Sequence, residues 1–143
     1  MWNEVIYQPG ELRIVAYKEG NIIGEKSVKT ADKPDKLKLT PDREVIKADG
    51  NDLSYILIEA FDKEGIPCPL AMNKVDITLT GAGKIAGVGN GNPQSMNSFK
   101  SNSINLFYGK AMLIVGSEFS TGKLIVEATS KGLEDTRVTI KIE

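Results

Sequence analysis

The stretch KLIVEATSKGLEDTRVTIKIE, Lys123 to Glu143, decides the fold class. In its first half Leu124, Val126 and Ala128 alternate with Ile125, Glu127 and Thr129. In its second half Val138, Ile140 and Ile142 alternate with Arg137, Thr139 and Lys141. A period of two puts successive side chains on opposite faces of an extended chain, whereas a helix needs a period near 3.6. Ser130-Lys131-Gly132 between the halves is a turn signal. Two half-buried antiparallel strands joined by a turn follow.

The same period recurs upstream. Ile56, Ile58 and Ala60 share a face in SYILIEAFD, Val75, Ile77 and Leu79 in KVDITLT, Leu37 and Leu39 in KLKLT, and Leu12, Ile14 and Ala16 in ELRIVAY. Ile, Val, Thr and Tyr fill these runs, as strands prefer. Turn signals at Lys18–Asn21, Ala48–Asp52, Asp62–Gly65 and Tyr108–Lys110 separate them. No stretch repeats every 3.6 residues. Many short strands with regularly spaced turns predict an all-β protein, a β-sandwich.

KTADKPDK, Lys29 to Lys36, is polar, carries Pro34 and reads as a linker too polar to dock tightly. It suggests two units, residues 1–33 and 34–143. The second has the size of one immunoglobulin-like domain. The first reads as three strands within residues 1–31, too few for a sandwich of its own. Its apolar residues Leu12, Ile14, Ala16, Ile22, Ile23 and Val28 then need a partner. Either the segment packs on the C-terminal sandwich or it forms a homodimer through residues 1–31, the latter being preferred.

Composition narrows the chemistry. The chain has 143 residues and a net charge of −1, so it presents no basic footprint for nucleic acid. No apolar run approaches the roughly 20 residues that span a bilayer, and membrane insertion is not expected. MWNEVIYQPG lacks the charged and apolar regions of a signal peptide. There is no histidine and one cysteine, Cys68, which leaves no Ser-His-Asp triad, Cys-His pair or thiolate zinc site. No cofactor is expected.

The glycine-rich run GKIAGVGNGNP, Gly83 to Pro93, invites a phosphate-binding reading. The spacing refuses it. Gly116 and Gly122 in GSEFSTGKL stand one residue too far apart for a phosphate loop, and Leu124 replaces its hydroxyl residue. GAGKIAG places its third glycine one position late for a dinucleotide fingerprint, and no helix can begin at Asn90-Gly91-Asn92-Pro93. The run reads as a short strand between tight turns, with Asn90-Gly91 the turn pair. Asp49, Asn51 and Asp52 in ADGND lack the glutamate of a calcium loop and read as a turn. Glu59 and Glu127 form a conceivable glycosidic carboxylate pair, but both occupy outward strand positions. Trp2, Tyr7, Tyr17, Tyr55 and Tyr108 are too scattered for a sugar platform, with Tyr7 and Tyr17 read as core. Phe99 and Phe107 are read as anchors that pin QSMNSFKSNSINLFYG to the core.

Several stretches resemble a known family in order. Trp2, Tyr7, Pro9, Gly10, Leu12, Ala16, Tyr17 and Gly20 look like the closing segment of the immunoglobulin-like domain after the catalytic barrel of bacterial family 2 glycoside hydrolases of the beta-galactosidase type. LTPDR, KADGNDLSYILIE, GAGKIAGVGNGNP, Phe99-Lys100 and GKAMLIV are similar to the C-terminal immunoglobulin-like domain of the same enzymes. The resemblance implies a non-catalytic accessory domain acting as spacer, stabiliser or docking surface. The barrel, with its acid/base and nucleophile glutamates, would lie upstream, and the catalytic and other domains of a periplasmic or secreted parent enzyme would be the partners. It also implies that Gly89, Asn90, Gly91, Asn92, Pro93 and Phe99 form an interdomain contact loop. The family often carries aspartate at the position of Gly89 and histidine at that of Met96, so the contact is altered here. A carbohydrate-binding module and an adhesin-type immunoglobulin-like domain are the alternatives. The absence of internal repeats counts against the latter.

Overall fold

The computed structural model describes residues 6–143, so Trp2 lies outside the described residues. The alternating runs are strands. A hairpin comes first, β1 (Glu11–Lys18) and β2 (Asn21–Lys29), turning at Glu19-Gly20. Then follow β3 (Lys36–Pro41), β4 (Val45–Ile46), β5 (Leu53–Phe61), β6 (Lys74–Gly81), β7 (Lys84–Gly89), β8 (Ser103–Asn105), β9 (Lys110–Gly116), β10 (Gly122–Thr129) and β11 (Thr136–Ile142).

β3 to β11 build an immunoglobulin-like β-sandwich. One sheet runs β4-β11-β10-β6-β8 and the other β3-β5-β9-β7. Pairing is antiparallel except for the short β4, which lies parallel to β11. The inward positions of the two sheets form one core. Ile56, Ile58, Leu113 and Val115 come from one side, and Val75, Leu124, Val126 and Ile140 from the other, all fully buried. Burying each such side chain contributes about 1.5–3 kcal/mol. On β10 and β11 most outward partners are polar, which is why the alternation was visible in that stretch of sequence.

β1 and β2 form a separate two-stranded sheet. Among the described residues, segment 6–31 thus holds two strands where three were expected. Leu12 pairs with Val28, Ile14 with Lys26 and Ala16 with Gly24. These pairs share one face, while Arg13 and Glu25 form an ion pair on the other. Leu12, Ile14, Ile22, Ile23 and Val28 are all exposed, so the hairpin is not packed on the sandwich.

The linker departs from expectation. It is docked through its backbone. The Asp32 N–H donates to Asp62 Oδ2 at 3.0 Å, Asp35 N–H to the Phe61 carbonyl at 2.9 Å, and Glu134 N–H to the Asp35 carbonyl at 2.7 Å. Ala31 packs against the core. Side-chain polarity says nothing about main-chain donors, which are equally strong in a polar stretch.

Candidate functional site

The loop from Asn90 to Asn102 joins the two sheets, leaving β7 and returning as β8. Its start is folded on its own asparagines. Asn90 Nδ2 donates to the Asn105 carbonyl at 2.8 Å, and Asn90 Oδ1 accepts Asn92 N–H at 3.0 Å. Asn92 Oδ1 accepts Gln94 N–H at 3.0 Å. Asparagine bonds of this kind stand in for a backbone turn. Gly91 has φ of +73°, with nothing within 4 Å of where a Cβ would sit. Asn90 keeps negative φ, so only one member of the turn pair uses the left-handed region. The close approach lies elsewhere. At Gly81, φ +111°, an added Cβ would meet the Lys123 carbonyl oxygen at 1.9 Å.

Beside the loop the outer face of β5, β9 and β7 holds a shallow pocket of ≈ 610 Å³, lined among others by Leu57, Val88, Met112, Ile114 and Phe99. Lys110 stands at its edge and pairs with Glu59, Nζ to Oε1 3.1 Å. Of the six residues expected to form a contact loop, Gly89, Asn90, Gly91 and Phe99 line this pocket, and Asn92 and Pro93 follow directly. Phe99 is 76% exposed, which corrects its reading as a core anchor. Its backbone does the tethering, accepting the Val88 N–H at 2.7 Å. The side chains that pin the loop are Ile104 and Leu106, both buried. Their alternation within SINL was the available signal. Phe107 is half-buried and packs edge-on against Tyr108, with centroids 4.5 Å apart.

The carboxylates do not converge. Glu59 lies on the outer face of the β5 sheet and Glu127 on the outer face of the β10 sheet, on opposite sides of the sandwich. A glycosidic pair must flank one bond, within about 5–10 Å. Asp49 is used by its own turn. Its Oδ1 accepts the Asn51 and Asp52 N–H groups at 2.9 and 2.8 Å, which hold its pKa below the ordinary value. Asp52 accepts Lys47 N–H at 2.9 Å and Arg43 Nη2 at 2.9 Å, and its pKa is lowered chiefly by the Lys47 bond. Among the described residues, no three acidic or cysteine side chains group to hold a metal. Tyr7, which precedes the hairpin, and Tyr17, on β1, are exposed and not core.

A second cluster was not anticipated. The Asp62 side chain is buried at the linker. Burial alone would raise its pKa, but the N–H groups of Asp32, Ile66, Glu64 and Gly65 outweigh it and leave the pKa lowered. Cys68 lies beside it, its thiol donating to the Asp32 carbonyl at 3.5 Å. Burial first, then Asp62 and Asp32, push the Cys68 pKa up, so the thiol stays protonated and unreactive. Between hairpin and sandwich runs a groove of ≈ 1110 Å³, lined by Tyr7, Leu12 and Val28 on one side and Pro67, Leu70 and Met72 on the other.

Residues 37–139 match the glycoside hydrolase family 2 C-terminal domain 5. The chain belongs to this family. The chain is 41% identical over 139 residues to the beta-galactosidase BoGH2A of Bacteroides ovatus, covering 97% of this chain and 16% of that enzyme. It is 29% identical over 143 residues to a beta-glucuronidase of Formosa agariphila, covering 98% of this chain and 14% of that enzyme. The crystal structure of a glycosyl hydrolase family 2 member from Bacteroides cellulosilyticus superposes with a TM-score of 0.91 at 41% identity, covering 97% of this chain and 18% of that one. The chain therefore spans about a sixth of the length of the curated relatives it matches.

Proposed function

We propose that the chain serves as a non-catalytic accessory sandwich within a larger family 2 glycoside hydrolase, spacing, stabilising or docking its neighbours. One observation carries the reading: nearly the whole chain aligns with a small part of much longer glycosidases. The separation of Glu59 from Glu127 across the sandwich supports it. The catalytic barrel then lies elsewhere in the polypeptide, and the pocket flanked by Phe99 and the loop 89–93 faces a neighbouring domain. Residues 1–33 belong to a preceding immunoglobulin-like domain whose other strands would cover Leu12, Ile14 and Val28, and residues 34–143 form the C-terminal domain. The parent enzyme is periplasmic or secreted, which fractionation of cells expressing it would test. The purified chain should turn over neither a chromogenic β-galactoside nor a β-glucuronide. Turnover that persists after a host-enzyme contaminant is ruled out would overturn the reading. Calorimetric titration with galactosides and plant polysaccharides should give no saturable heat, whereas saturation would favour a carbohydrate-binding module.

A second reading concerns the hairpin. Its bare apolar face, with no strand on the outer edge of β1 or β2 among the described residues, favours association of two copies through residues 1–31. Light scattering decides it. A strict monomer at high concentration removes the dimer.

A further inference from the structure

We propose that the segment 30–37 is a stiff joint, held in one setting by Asp62, that fixes the bearing of the hairpin on the sandwich. The constraints run residue by residue. Thr30 closes the hairpin base, its N–H donating to the Gly10 carbonyl at 2.8 Å and its Oγ1 accepting Gly10 N–H at 3.1 Å. Ala31 packs on the core. Asp32 is gripped at both ends of its backbone, its N–H by Asp62 Oδ2 at 3.0 Å and its carbonyl by the Cys68 thiol at 3.5 Å. Pro34 has its φ locked by the ring, and the preceding Lys33 is confined to extended conformations. Asp35 donates to Phe61 and accepts from Glu134, and Leu37 N–H donates to the Glu134 carbonyl at 3.3 Å. No residue between hairpin and β3 keeps the freedom of a flexible linker.

Asp62 is the keystone because it works in two directions. Oδ2 takes Asp32, while Oδ1 takes Ile66 N–H at 2.8 Å and the Asp62 N–H donates to the Ile66 carbonyl at 3.0 Å. One buried carboxylate thus ties the joint to the β5 end of the sandwich. It is a positioning residue, acting on how the hairpin is held. The joint is a property of this chain and stands whether or not the accessory-domain reading holds.

Nuclear magnetic resonance on the intact chain tests it. Residual dipolar couplings from hairpin and sandwich amides should fit one alignment tensor in the wild type. In Asp62→Ala they should require two. The Asp32 and Ile66 amides should exchange roughly tenfold faster or more in that variant, while β5 and β9 core amides keep their rates. Two tensors in the wild type would overturn the proposal, as would a variant with unchanged Asp32 exchange and a single tensor. If Asp62→Ala does not fold, Asp62→Asn, which keeps the size and one acceptor oxygen, replaces it, and the wild-type tensor comparison stands by itself.

Discussion

Gly91 and Gly81 sit in one glycine-rich run for different reasons. At Gly91 only the backbone dihedral objects to a side chain, since the space beyond is open. Gly91→Val should cost about 1–3 kcal/mol, read as a lower urea midpoint at unchanged m-value. An unaltered midpoint would contradict the turn. At Gly81 a methyl group would strike the Lys123 carbonyl across the β6–β10 pair. Gly81→Ala should therefore cost about 3 kcal/mol or more, because backbone has to move. Phe99→Ala is the counterpoint and should change stability by about 0.5 kcal/mol or less, its ring being mostly in solvent. Asp62 adds a pH signature. Its folded pKa lies below the ordinary 3.8, so its contribution is complete above that value and is lost as pH falls through the folded pKa. The melting temperature should fall on acidification below pH 3.8, and Asp62→Asn should start lower and fall less steeply. An identical acid slope in the variant would remove Asp62 from the account.

Among elements, the sandwich strands and the hairpin have similar sequence patterns and opposite fates. Leu113→Ala in β9 should cost about 2–5 kcal/mol, since it empties a fully buried site. Leu12→Ala in β1 should cost about 0.5 kcal/mol or less in this chain, because its side chain is already wet. Equal losses at the two positions would mean that the hairpin finds a partner in solution. The comparison also explains what was legible. Alternation reports which residues share a face, so Leu124, Val126 and Ala128 or Ile56, Ile58 and Ala60 could be read as core directly. Alternation does not report whether anything covers that face, and so Leu12 and Ile14 looked the same. Phe99 misled for a related reason: in a loop of Gly, Asn and Ser no period says which way a ring points, whereas Ile104 and Leu106 two positions apart did carry a direction. The docked linker was illegible because its partners are main-chain groups and a carboxylate 30 residues away. The two-residue parallel strand β4 is too short to leave any pattern.

At the scale of the whole molecule, the two bodies differ in how their sheet margins end. The five-stranded sheet is bounded by β4, two residues long, and β8, three residues long. In the other sheet β7 is interrupted by a bulge between Ile85 and Gly87, and the margin of β3 is met by the backbone of Glu134. The hairpin has strands of eight and nine residues, its one register irregularity lies close to the turn between Ala16 and Tyr17, and among the described residues no backbone meets its outer edges. If the chain is held at high temperature until it precipitates, protease digestion of the precipitate should leave residues 11–29 protected. A protected segment drawn from β5 or β9 would refute this.

That contrast bears on how readily the sandwich can be moved between proteins. Short, bulged or capped margins stop a sheet from recruiting foreign strands. A module finished in this way can be inserted into or spliced onto unrelated polypeptides without seeding fibrils. A graft cut after the joint would inherit that tolerance, and one that carried β1 and β2 along would not.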